Sequence, residues 1–212
     1  MKGLYLVTDR TLCGTRPLED VVLQAVRGGV SCVQLREKEL STRAFIGEAK
    51  RIKEQLLPYG VPLIINDRVD VALAAGAGGV HIGQDDMPYS MARALMGPGA
   101  IIGLSVETWE DVERAEEMDV SYLGISPVFA TPTKTDTKGI WGLEGVSKIR
   151  ACSRHTLVAI GGLNAANAGK AILAGADCIA VVSAICAAPD PFGVAKELSA
   201  LITNVLSHCG RS

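Results

Sequence analysis

The chain has 212 residues, 48 % of them apolar, enough for one well-filled α/β core and cramped for two. Lys plus Arg number 21 against 23 Asp plus Glu, a formal net charge of -2 with a pI near 5.9, which leaves no basic footprint for DNA or RNA. No apolar run reaches the roughly 18 residues of a membrane span, and the run from Leu4 to Thr8 is too short for a signal peptide. The six cysteines show no C-x-x-C spacing and read as buried, reduced thiols, so a cytoplasmic location is expected. With 4 % aromatic residues against 23 glycines, function is expected to rest on backbone and small polar groups, as in a phosphate binder.

Short β-branched runs alternate with helix-period segments along the whole chain. Strands are expected at 4–8, 30–36, 62–66, 79–82, 100–105, 121–125, 156–161 and 177–182. Helices are expected at 17–27, 41–57, 69–75, 88–96, 108–118, 143–152, 165–174 and 191–207. Glycines at Gly28-Gly29, Gly76 and Gly175 stand where helices end, and left-handed C-caps are expected there. Eight units of about 26 residues use the whole of 1–212, which predicts a single-domain α/β (β/α)8 barrel with its site at the carboxyl ends of the strands. No G-x-G-x-x-G follows the first strand and no Walker A sequence occurs.

On the second strand, Gln34, Arg36 and Lys38 fall on one side and Val33 and Leu35 on the other, so the polar three are expected to aim into the mouth. Two cations in a confined mouth call for an anion; a salt-bridged rim with Glu37 or Glu39 is the plainer alternative. The third strand ends in Asn66-Asp67-Arg68, and the fourth continues through His81 to Gly83-Gln84-Asp85-Asp86. Asp67 and Asp86 beside those cations suit Mg²⁺, which takes one or two carboxylates, waters and substrate phosphate oxygens. Asp67 also fits the N-cap of the following helix, and His81 reads as a packed strand residue rather than a ligand. Ser105 ends the fifth strand, either as a hydrogen-bonding group in the mouth or as the turn before a helix capped near Thr108.

The longest connection, 126–139, is rich in hydroxyls and lysines, as a lid over a phosphorylated ligand would be. Gly161-Gly162 after the seventh strand and Val182-Ser183 after the eighth are placed where many barrels bind phosphate. Together these describe two anion sites in one mouth, one cationic and metal-assisted, the other of amides and hydroxyls. They imply a two-substrate transferase of phosphorylated small molecules.

The motifs Gln34-Leu35-Arg36-Glu37-Lys38, Asn66-Asp67-Arg68, Val80 to Asp86, Gly103-Leu104-Ser105, Pro127 to Lys134 and Gly161-Gly162 resemble, in order, those of the thiamine phosphate synthase family. The resemblance implies joining 4-amino-5-hydroxymethyl-2-methylpyrimidine pyrophosphate to a thiazole phosphate, with release of pyrophosphate. It implies that Gln34, Leu35, Arg36, Glu37, Lys38, Asn66, Ser105 and Lys134 bind the pyrimidine pyrophosphate, with Arg36, Lys38, Ser105 and Lys134 catalytic. Asp67 and Asp86 would hold Mg²⁺, and Thr131, Pro132, Thr133, Gly162, Val182 and Ser183 would bind the thiazole phosphate. A thiazole tautomerase-like relative and a non-catalytic thiamine phosphate-binding protein are the alternatives, and a homodimer is left open. Ser126 and Val106-Glu107 depart from the family's pattern.

Overall fold

A computed structural model describes residues 2–131 and 138–210. Eight parallel strands pair in sequence order: β1 (Gly3–Val7), β2 (Val30–Leu35), β3 (Leu63–Asn66), β4 (Gly79–Ile82), β5 (Ile101–Val106), β6 (Tyr122–Ile125), β7 (Leu157–Ala159) and β8 (Cys178–Val181). β8 pairs back onto β1 and closes the barrel. The helices outside it are α1 (Arg10–Cys13), α2 (Leu18–Arg27), α3 (Thr42–Leu56), α4 (Val69–Ala75), α5 (Tyr89–Met96), α6 (Trp109–Glu116), α7 (Gly142–Cys152), α8 (Ala168–Leu173), α9 (Ser183–Cys186) and α10 (Pro191–His208).

The period of two along each strand sorts side chains into two cores. Leu4, Leu6, Val33, Leu35, Ile179 and Val181 face outward into the layer shared with the helices, while Tyr5, Val7, Cys32, Cys178 and Ala180 fill the barrel's interior. The interior is thus built largely from small or hydroxyl-bearing residues, and its upper end opens into the mouth.

Every predicted strand and long helix is present, with ends shifted by three residues or fewer. α8 starts at Ala168 rather than 165 because Asn164 and Asn167 tie the preceding chain into turns: Asn164 N donates to Asn167 Oδ1 at 2.8 Å and Ala166 N to Asn164 Oδ1 at 2.9 Å. α1 and α9, four residues each, were not foreseen, since one turn shows no periodicity. Asp9 caps α1 by accepting from Leu12 N at 3.2 Å. Of the glycine junctions only Gly76 takes the left-handed C-cap, at φ 62°. At the first junction the positive φ falls on Gly29, and Gly28 is right-handed; it is required by packing, since a Cβ there would lie 2.6 Å from the Phe192 carbonyl oxygen on α10. At the third, Ala174 caps α8 and Gly175 follows at φ 122°. Cys13, Cys32, Cys178 and Cys186 are buried as expected, whereas Cys152 and Cys209 are exposed; all six are free thiols. Among the described residues no helix is long and apolar enough to cross a membrane.

Candidate active site

A cavity of about 380 Å³ opens at the carboxyl ends of the strands, lined by Gln34, Arg36, Lys38, Asn66, Asp67, His81, Asp86 and Ser105 on one side and by Gly161, Gly162, Val182 and Ser183 on the other. β2 supplies the cationic wall. Thr8 locks its end against β1: Thr8 N donates to Gln34 O at 2.9 Å, and Arg36 N donates to Thr8 Oγ1 at 3.0 Å. Arg36 then pairs with Asp9 at 3.5 Å and Lys38 with Asp67 at 2.6 Å. The mouth cations do carry carboxylate partners, but these are Asp9 and Asp67 rather than Glu37 or Glu39. Both pairs are partly open to solvent and so weakly held, which leaves the cations free to exchange a carboxylate for a phosphate.

The alternate residues of the same segment point away from the cavity. Leu35 is buried in the outer core, and Glu37 accepts from Arg10 at 2.9 Å. Arg10 also bonds Glu48, so one guanidinium holds two carboxylates together. Burial pushes the Glu37 carboxyl above its ordinary value; Arg10 opposes this and nearby Glu48 reinforces it.

Asp67 does not cap α4: that position falls to Arg68, whose side chain caps no backbone N–H and instead donates to Asp70 Oδ1 at 2.8 Å. Instead Asp67 has φ 62°, in a tight turn where Asp67 N donates to His81 O at 2.8 Å and Arg68 N to Asn66 O at 2.7 Å. The turn sets the Asp67 carboxylate beside Lys38 and Asp86. Asp86 Oδ2 accepts from Gly83 N at 2.7 Å. Burial raises the Asp86 carboxyl above the usual range against that bond, and the Asp67 charge raises it further. Two facing carboxylates whose mutual repulsion is only partly offset by Lys38 are hard-oxygen donors suited to a divalent cation that also takes ligand oxygens and water. No set of three or more His, Cys, Asp or Glu side chains able to hold a metal occurs among the described residues. The residues therefore fit Mg²⁺ shared with a ligand and not a closed, all-protein cage.

Ser105 lies in the mouth, and α6 is capped, as expected, by Thr108, in a capping box with Asp111. Ser105 Oγ is 2.8 Å from His81 Nε2, whose ring lines the cavity floor. The root of the long connection is fixed: Val128 N donates to Ile160 O at 2.8 Å, Phe129 N to Gly161 O at 3.1 Å and Trp141 N to Pro127 O at 3.0 Å. Trp141 Nε1 also donates to Val106 O at 3.2 Å, and its ring meets Trp109 edge-on at 5.2 Å. Gly161 and Gly162 have positive φ, and a Cβ at either would strike this segment, 2.6 Å from Pro127 Cβ or 2.7 Å from Ala130 O. Their glycine character is explained by that close approach. Thr131 lines the cavity, whereas Pro132, Thr133 and Lys134, with the rest of 132–137 in the expected lid, lie outside the described residues.

Sequence reasoning missed Glu107 and Lys138 at the rim, and Gln84, which donates to Ser105 O at 2.6 Å while Arg114 reaches its Oε1 at 3.0 Å. Gln84 sits two residues past β4 and Lys138 far along a loop, where no strand parity assigns a direction.

A model of the thiamine monophosphate synthase family matches residues 4–185. The thiamine-phosphate synthase of Albidiferax ferrireducens is 58 % identical over 202 residues, 95 % of this chain and 92 % of that protein. That of Leptospira biflexa is 51 % identical over 208 residues, 96 % of this chain and 97 % of the relative. Among solved structures, a thiamine phosphate pyrophosphorylase from Pyrococcus furiosus superposes with a TM-score of 0.89 at 38 % identity, covering 96 % of each chain. A 3-hexulose-6-phosphate synthase with TM-score 0.68 and 18 % identity shares the fold alone. A barrel mouth with a cationic, carboxylate-bearing wall facing a glycine-lined one, together with these matches over nearly the whole sequence, places the chain in the thiamine monophosphate synthase family.

Proposed function

We propose that the chain is a transferase of thiamine biosynthesis that couples 4-amino-5-hydroxymethyl-2-methylpyrimidine pyrophosphate to a thiazole phosphate, giving thiamine phosphate and pyrophosphate. The observation that carries this is the division of one cavity. Arg36 and Lys38 stand with Asp67 and Asp86 on one wall, and Gly161, Gly162, Val182 and Ser183 bring no charged side chain to the other.

The pyrophosphate sits against Arg36 and Lys38, which exchange Asp9 and Asp67 for its oxygens, and Lys134 is assigned to the same group from the family's pattern. Asp67 and Asp86 would hold Mg²⁺, which when bound neutralises charge on the departing group. Gln34, Asn66 and Ser105 orient the pyrimidine ring. The backbone around Gly162 and Val182-Ser183, with Thr131 to Thr133, binds the thiazole phosphate. The methylene-to-oxygen bond breaks with its electron pair leaving on pyrophosphate, the positive charge spreads into the aminopyrimidine, and the thiazole nitrogen lone pair then closes the new bond. No proton has to be removed from either substrate, so the protein's task is to stabilise the leaving group and align the second substrate. Leu35 and Glu37 shape β2 from its outer side.

Mixing both substrates with the protein and Mg²⁺ is expected to give thiamine phosphate and pyrophosphate, and EDTA to suppress both. Thiazole isomerisation without coupling would overturn the assignment in favour of a tautomerase.

A further inference from the structure

A line of hydrogen-bonded polar groups crosses the barrel interior beneath the cavity. Gln34 Nε2 donates to Tyr5 Oη at 2.9 Å, the Tyr5 and Tyr122 hydroxyls lie 2.8 Å apart, Tyr122 Oη is 2.9 Å from His81 Nδ1, and His81 Nε2 is 2.8 Å from Ser105 Oγ. Five residues from five strands, β1, β2, β4, β5 and β6, are thereby joined into one chain.

The strands are built to allow it. Across β4, β5 and β6, His81 is in register with Gly103 and Gly103 with Tyr122. A Cβ at Gly103 would lie 2.1 Å from Tyr122 Cζ, so only glycine lets the Tyr122 and His81 rings stack across it, 5.5 Å apart and 19° from parallel. Gly124, in register with Ser105, leaves the corresponding space for His81: a Cβ there would lie 3.0 Å from its Cε1.

Proton counting gives the chain a direction. Both tyrosines are buried, and burial holds both phenols well above their ordinary range, so each keeps its one proton. Tyr5 accepts from Gln34 and gives its own proton to Tyr122; the thiol of Cys32 nearby is a weak competitor. Tyr122, having accepted, gives its proton to His81 Nδ1. That nitrogen is then bare, the neutral ring carries its proton on Nε2, and it donates to Ser105 Oγ. The Ser105 hydroxyl proton is left for the cavity, and at the other end the Gln34 amide oxygen is left over from the chain.

We propose that Tyr5, Tyr122 and His81 are positioning residues that fix this direction, committing Ser105 to donate and Gln34 to accept toward a ring that carries both an acceptor nitrogen and an amino group. The inference rests on the coupling reading for the ligand, and it assigns that ligand's selection to groups that never touch it. A 4-oxopyrimidine, whose donor and acceptor are exchanged, would meet the wrong partner at both ends.

The test uses the full chain with 15N-labelled histidine, in which His81 is one of three histidines. Its ring nitrogens are followed by NMR, alongside competition between the amino substrate and its 4-oxo analogue for binding. The wild-type protein is expected to show a neutral His81 protonated on Nε2. Tyr122→Phe, which removes the donor to Nδ1, is expected to populate the Nδ1–H form and to narrow the preference for the amino ring by about tenfold. Tyr5→Phe, leaving the Tyr122 bond to His81 in place, should narrow it less, and it serves if Tyr122→Phe does not fold. A proton on Nδ1 in the wild type overturns the proposal, as does an unchanged tautomer and preference in Tyr122→Phe. A wild type with the expected tautomer and preference that couples nothing supports the chain and retires the coupling reading alone.

Discussion

Asp67 is the one residue other than glycine with positive φ among the described residues, and its turn exists to aim a carboxylate rather than to start a helix. Stability and chemistry should therefore part at this position. Asp67→Gly is expected to raise stability by up to about 1 kcal/mol by relieving the left-handed backbone, with little loss from the exposed Lys38 pair. The same variant should lose the Mg²⁺-dependent gain in melting temperature and most of its coupling activity, and differential scanning fluorimetry with and without Mg²⁺ reads both. Arg36 argues likewise from its direction into the cavity. Arg36→Ala should raise KM for the pyrimidine pyrophosphate on the order of 10–100-fold and leave that of the thiazole phosphate nearly unchanged, and equal losses in steady-state kinetics would make Arg36 structural. In sequence Asp67 was readable only as cap or ligand, because an Asp just before a helix satisfies both; the backbone angle that separates them is not written in residue type.

The segment from β2 into the following loop shows how one element serves two layers. Gln34, Arg36 and Lys38 face the mouth, and that much followed from a period of two. What spacing did not reveal was the clasp behind it, in which Arg10 on the unforeseen α1 joins Glu37 to Glu48 on α3. Because the Glu37 carboxyl is raised in the folded protein, the fold binds its proton more tightly than the unfolded chain does. Its contribution to stability is present below the unfolded glutamate value and is lost as pH rises through the folded one. Glu37→Gln lacks this loss, so its melting temperature relative to wild type should improve on going from about pH 4 to pH 7. A difference that stays flat or moves the other way across that range would contradict this account. The barrel's interior was harder still to read: Tyr5 and Tyr122 stand 117 positions apart, and each alone reads as ordinary core. Gly103 and Gly124 were the available signal, since glycines inside strands mark a close approach.

At the scale of the molecule, the eightfold alternation was legible because each strand is short, β-branched and followed by its own helix. Closure of the ring was the step that needed length, since eight units leave no room for a further layer. The helices beneath the mouth and the residues within it are thereby separable. Ile202 of α10 is wholly buried, in a helix packed on α2, α8 and β1. Ile202→Ala should cost about 2–4 kcal/mol in denaturant unfolding while both KM values hold, because the truncated side chain lies in the outer layer. The same geometry gives the molecule an optical property. Its two tryptophans, Trp109 and Trp141, touch each other at the root of the 126–139 connection, one of them anchored to the end of β5 and to Pro127. All of the protein's indole emission thus originates at one edge of the mouth, so its intensity and colour are a label-free gauge of that edge, silent about the far side of the barrel.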